Sequence, residues 1–167
     1  MDGIDRRILA VLQEDADLAV SEVAARVGLS STPCWKRIQK LKDDRVIQKQ
    51  VVLCDPDLLD LSTTVFVRIS TNQHNEAWLQ QFTRAVQDIP EIVEAYRLSG
   101  DVDYLLRIVA RDIQGYDSVY KRLIQACELH DVSASFAMER IKYSTALPVE
   151  LENESSTSQH RGIRKSK

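Results

Sequence analysis

"GLSSTPCWKRIQKL", Gly28 to Leu41, decides how this chain is read, because with the next residue it places Lys36, Arg37, Lys40 and Lys42 on one short helix and no acid from Ser30 to Lys42. At 100° per residue Cys34, Ile38 and Leu41 fall on one side of that helix, and Thr32, Lys36, Gln39, Lys40 and Asp43 fall on the other. One face is core and the other cationic. Trp35 and Arg37 lie on the flanks, where an indole sits half buried and a guanidinium either pairs internally or reaches a phosphate. Ser30, Ser31 or Thr32 caps the helix, and Pro33 is tolerated because the first turn has no partner for its missing N–H. That first turn also offers backbone N–H groups to an anion.

What precedes the stretch gives it context. Asp2 caps a first helix with Ile4, Ile8, Leu9, Val11 and Leu12 at helical spacing, and Asp5 faces the positive end of its dipole. A second helix, capped by Ser21, carries Val23, Ala24 and Val27 and closes at Gly28, the residue suited to a left-handed helix end. Helix, then helix, glycine turn and helix, is the pattern of a helix-turn-helix. Ser31, Thr32, Trp35, Lys36, Arg37, Gln39 and Lys40 are therefore the candidate DNA-contacting residues, with Lys36 and Lys40 on phosphates and Thr32, Trp35 and Gln39 at or beside base edges. The plainer alternative is a solvated lysine-rich helix face.

The whole chain sets bounds. Its 167 residues, 44% of them hydrophobic, suit one ordinary domain or two small ones. A net charge of -3 provides no global attraction to nucleic acid, so binding must come from a local cluster. No apolar run reaches the roughly 18 residues of a membrane span, and a cytoplasmic protein is the expectation. Cys34, Cys54 and Cys127 are far apart and suggest neither a disulfide framework nor a metal site, and Cys34 and Cys127 fall on apolar helix faces. His74, His130 and His160 fall in loops or the tail, without nucleophile, ligand set or phosphate loop beside them, so no catalytic residue, metal or cofactor is expected.

Beyond the head, "VIQKQVVLCDP" (Val46 to Pro56) reads as a connecting strand, then "STTVFVRIS" as a strand and Asn75 as the cap of a helix with Trp78, Leu79, Phe82 and Val86 on one face. "IVEAYRLS" and "VDYLLRIVA" form a hairpin through Gly100 and Asp101. A helix follows with Ile113, Tyr116, Val119, Tyr120, Leu123, Ile124 and Cys127 inward, then a strand "VSASFAMERIKY". The fold class is α+β: a helix-turn-helix, winged-helix-like head over residues 1–50, a connector over 51–61, and a ferredoxin-like βαββαβ sandwich over 62–149. Such a sandwich leaves one sheet face open, where Val65, Val67, Met138 or Leu106 would need a partner subunit. Residues 150–167 lack apolar periodicity and read as a disordered tail with a basic tip.

The run "IDRRILAVLQEDADLAVSEVAARVGLSSTPCWKRIQKL", followed by a βαββαβ pattern with "LSGDVDYLLRI", resembles the Lrp/AsnC family, regulators that couple amino-acid levels to transcription, from Ile4 to about Pro148. "TPCWKRIQKL" and "SFAMERIKYSTALP" are similar to its DecR-like subgroup, whose members respond to cysteine and activate cysteine-detoxification genes. The resemblance implies double-stranded DNA read by the third helix, a homodimer through the sandwiches assembling into tetramers or octamers, and an amino-acid effector, cysteine first among them. It places that effector between dimers near the hairpin, at Ser99, Gly100, Asp101, Asp103 and Tyr104, with Ser135 and Met138 on the final strand. Asp101 or Asp103 would take the ammonium and N–H groups around Gly100 the carboxylate, although a tight turn with solvated aspartates explains the same residues. Relatives usually carry glycine at Arg45 and often at Asp60, and a left-handed turn at Arg45 would cost about 1 kcal/mol without glycine. Two other functions fit the pattern: a nucleoid-type architectural DNA-binding protein, and a ligand-binding or oligomerisation module whose head binds protein.

Overall fold

The computed structural model describes residues 1–73 and 75–149, so His74, His160 and the tail over residues 150–167 lie outside the described residues. It divides into two units, residues 1–52 together with the stretch from Lys142, and Leu53–Ile141.

The first unit holds α1 (Gly3–Glu14), α2 (Val20–Val27) and α3 (Ser31–Asp43). Asp2 caps α1 as expected: its carboxylate accepts from the N–H groups of Ile4 and Asp5, and the Asp5 carboxylate accepts from the Asp2 N–H. That reciprocal box satisfies donors that no helical turn can reach. The start of α2 differs from the sequence reading. Its cap position is Ala19, not Ser21, because Glu22, three residues on, reaches back to the Ala19 N–H at 3.0 Å. Gly28 closes α2 in the left-handed region at φ 75°. Ile8, Leu9, Val23, Ala24, Val27, Cys34, Ile38 and Leu41 form one buried core, which is why the three helices need one another.

After α3 the chain departs from expectation. Val46 to Pro56 forms no strand; Ile47 packs on the head core and its N–H reaches the Leu41 carbonyl, while Val51, Val52 and Leu53 are exposed. A β-rich composition cannot make a strand without an edge to pair with. The last described stretch also moves between units. Residues 142–149, expected with the sandwich, belong to the head: the Leu147 N–H donates to Gln13 Oε1 at 2.7 Å, Gln13 Nε2 donates to the Leu147 carbonyl at 3.0 Å, and Val149 packs on the head core.

The second unit is the expected sandwich: β1 (Thr63–Ser70), α4 (Glu76–Asp88), β2 (Ile92–Arg97), β3 (Tyr104–Ala110), α5 (Ile113–Ala126) and β4 (Asp131–Phe136), with sheet order β2-β3-β1-β4 and every pairing antiparallel. Asn75 and Asp112 cap its helices. Val65, Val67 and Leu106 do not lie on the open sheet face. They are fully buried with Ile69, Ile108, Trp78, Phe82, Val119 and Leu123. Side chains alternate along a strand, so the open face takes the other parity: Phe66, Arg68, Leu105, Arg107 and Val109, joined by Glu94, Tyr96, Ser133 and Ser135 through the strand register. Arg107 pairs with Glu94 there at 2.8 Å. Ile113 and Ile124, expected on the inner side of α5, are exposed, because the buried stripe runs through Val119, Leu123 and Cys127. The final strand stops at Phe136, short of the expected Tyr143; Met138 follows it and is 96% exposed.

Candidate DNA-binding face and effector hairpin

The helix α3 is fixed by its apolar side. Cys34, Ile38 and Leu41 are buried, and burial pushes the Cys34 thiol upward, so it stays protonated. With that side spent on the core, Ser31, Thr32, Trp35, Lys36 and Lys40 are exposed, and Gln39 is half-buried. Trp35 is 51% exposed, an indole resting on its flank. Lys36 and Lys40 form no ion pair among the described residues. Ser30 occupies the cap position in extended backbone without a side-chain hydrogen bond, so the first-turn N–H groups of α3 are not used by a cap.

Arg37 is different. Its Nη1 donates to Asp2 Oδ2 and to Asp5 Oδ1, each at 2.7 Å. Of the two fates open to Arg37 in the sequence, the structure shows internal pairing. The N–H of Asp5 and the guanidinium of Arg37 hold the Asp2 carboxyl down at about 2, and the two carboxylates push the Arg37 guanidinium up in turn. Asp2 and Asp5 are legible in the sequence as helix-start residues but not as partners of α3, since nothing local links residue 2 to residue 37.

The hairpin separates its candidates. Leu98 N–H donates to the Asp103 carbonyl, closing the loop between β2 and β3 around Gly100, which has φ 130°. Ser99, Gly100 and Asp101 are exposed. Asp103 is committed inward: its Oδ2 accepts from the Thr71 N–H at 2.8 Å and its own N–H reaches the Ile69 carbonyl. Tyr104 points into the core, its ring tilted against those of Phe82 and Trp78 at centroid distances of 4.5 Å and 5.7 Å. Ser135 lies on the open sheet face opposite Phe66, four residues along β1 from Ser70, whose hydroxyl donates to the Asp101 carbonyl. At about 3.3 Å per residue that is about 13 Å along the strand. Within one chain, therefore, Ser99, Gly100 and Asp101 come together, while Ser135 and Met138 stand apart from them. Thr71, the buried partner of Asp103, carried no signal in the sequence.

A three-helix head with one cationic helix, joined to an antiparallel βαββαβ sandwich, is the build of a two-domain DNA-binding regulator. Residues 1–42 match the AsnC-type helix-turn-helix domain and residues 64–147 match the Lrp/AsnC ligand binding domain. The chain belongs to the Lrp/AsnC family. It is 44% identical over 151 residues to the DNA-binding transcriptional activator DecR of Escherichia coli (strain K12), an alignment spanning 90% of this chain and 99% of DecR. Among solved structures it is similar to an AsnC family transcriptional regulator from Agrobacterium tumefaciens, with TM-score 0.86, 55% identity and coverage of 89% of this chain and 97% of that one. It is also similar to a transcriptional regulator from Neisseria meningitidis in complex with L-Met, with TM-score 0.84, 31% identity and coverage of 89% and 96%. The chain is thus a DNA-binding transcription regulator of the amino-acid-responsive kind, and no helix among its described residues is long and apolar enough to cross a membrane.

Proposed function

We propose that the chain is a cytoplasmic, sequence-specific regulator whose α3 enters the major groove and whose DNA affinity is set by an amino acid bound at the β2–β3 hairpin. The observation that carries this reading is the division of α3, with Cys34, Ile38 and Leu41 buried while Thr32, Trp35, Lys36 and Lys40 are exposed on the same rigid element. Lys36 and Lys40 contact phosphates and fix the register. Thr32, Gln39 and Trp35 meet or adjoin base edges, and Ser31 with the first-turn N–H groups takes a phosphate.

The effector reading rests on the exposed Ser99, Gly100 and Asp101, which offer a carboxylate for an ammonium and loop N–H groups for a carboxylate. Ser135 and Met138 reach that site from a second copy, in a homodimer that assembles further into tetramers or octamers. Cysteine is the effector of first choice and cysteine-detoxification genes the regulated set, on the likeness to the DecR-like subgroup. An effector alters DNA binding only if it favours one assembly state, since equal affinity for both shifts nothing.

The test is retention of genomic DNA fragments by the purified protein at physiological salt, with and without each free amino acid. Retention of a few fragments, altered by cysteine, supports the whole reading. Uniform retention of all DNA would replace it with an architectural role, and no retention under any condition with a protein-binding or ligand-binding module.

A further inference from the structure

We propose that Arg37 is a positioning residue of the DNA-binding face and not a DNA ligand: it neutralises the Asp2 and Asp5 carboxylates beside Lys36 and Lys40, so that phosphate meets an attractive edge. This inference rests on the reading that α3 faces DNA.

Met1, Asp2, Asp5, Lys36, Arg37 and Lys40 line one shallow notch of the head. Both carboxylates belong to the start of α1, where the helix needs them as its capping box. They therefore cannot be removed from the edge of α3 without cost to α1. Every one of their oxygens is engaged. Asp2 Oδ1 accepts from two backbone N–H groups, Asp5 Oδ2 from the Asp2 N–H, and the remaining two, Asp2 Oδ2 and Asp5 Oδ1, from Arg37. The Asp5 side chain is 14% exposed, the Asp2 side chain 54% and the Arg37 side chain 32%. Asp2 in particular stands where an approaching phosphate would feel it. The side chains of the notch carry one net positive charge, and without Arg37 they carry none.

Both Arg37 contacts are made by Nη1, so that nitrogen is committed to the two acids, and moving it to a phosphate would unmask both of them. Its contribution to DNA binding is the removal of repulsion. The lysines supply the attraction. The same bridge ties the start of α1 to α3.

The experiment compares binding to a random-sequence duplex across a salt series for the full chain, Arg37→Gln, Asp2→Asn/Asp5→Asn, and the triple variant combining them. Asparagine keeps a capping oxygen. Arg37→Gln is expected to lower affinity by about tenfold at low salt, and the triple variant to recover to within about threefold of the parent although it lacks Arg37. Asp2→Asn/Asp5→Asn should bind more tightly and with a salt slope steeper by about 0.9, as the released guanidinium becomes a phosphate contact. A triple variant as weak as Arg37→Gln would make Arg37 a direct ligand and overturn the proposal, as would Arg37→Gln binding like the parent. Should Arg37→Gln fail to fold by circular dichroism, the Asp2→Asn/Asp5→Asn arm decides alone: tighter binding supports the proposal and unchanged binding refutes it. Lys36→Ala/Lys40→Ala is the control. If it leaves binding unchanged, the placement of DNA on α3 has failed; if it weakens binding and rescue fails, only the role of Arg37 has.

Discussion

The start of α1 and the β2–β3 hairpin each bring two aspartates to the edge of a candidate site, and they treat them in opposite ways. In the head both carboxylates end on Arg37, a side chain from another helix, and Lys36 and Lys40 are left exposed. In the hairpin Asp103 ends on the Thr71 backbone N–H, while Asp101 is left exposed. The difference teaches that a charged cluster in sequence is shared between holding the site and offering it. The share falls to whichever residue meets an unsatisfied partner from a distant segment.

The largest effect that would break this comparison is at Asp103. Asp103→Ala leaves the Thr71 N–H without its acceptor next to a buried side chain, which should destabilise the sandwich by about 1–3 kcal/mol in urea denaturation. Asp103→Asn retains an oxygen and should cost less than half of that. Equal losses in the two variants would mean that charge, not the hydrogen bond, is what the hairpin uses. Next come the two non-glycine residues with positive φ among the described residues, Arg45 and Asp60, each at 56°. Arg45→Gly should stabilise the head by about 0.5–1 kcal/mol. Asp60→Gly should gain less, because Asp60 also pairs with Arg111 at 3.2 Å; a loss of stability at Arg45→Gly would show that the side chain serves the turn.

How far could these assignments be read from residues alone? The head was legible because its signals are local: Asp2, Gly28 and the 3.6-residue spacing of Cys34, Ile38 and Leu41 each announce their role within a turn or two. The sandwich was legible from the same kind of pattern, down to Asn75 as a cap. What failed depended on parity or on a distant partner. Val65 and Leu106 were assigned to the open sheet face although alternation alone cannot say which parity meets the helices. The reading of Val46 to Pro56 as a strand lacked an edge to pair with. Residues 142–149 joined the head through Gln13, and Arg37 found its acids on α1.

Smaller effects sharpen the account of the head. Gln13→Ala removes both hydrogen bonds to Leu147; being exposed, they are worth about 0.5–1 kcal/mol, and amide exchange at Leu147 should quicken while that of the α3 core stays slow. Unchanged exchange at Leu147 would show that Val149 alone holds this stretch. The smallest effect is the acid response. Asp2 titrates at about 2 in the folded head against an ordinary 3.8, so its contribution is fully present above about 4 and is lost as pH falls toward 2. Thermal melts of the parent and Asp2→Asn should converge over that window, and a constant difference down to pH 2 would contradict the clamp.

The account stands most directly on DNA affinity measured across a salt series for the full chain and for Lys36→Ala/Lys40→Ala, on a retained genomic fragment and on random DNA. It predicts weaker binding to both, a slope of log K against log salt shallower by about 0.9 per lysine, and little change in the ratio between the two DNAs. Unchanged affinity and slope would contradict it and move the DNA-binding face away from α3.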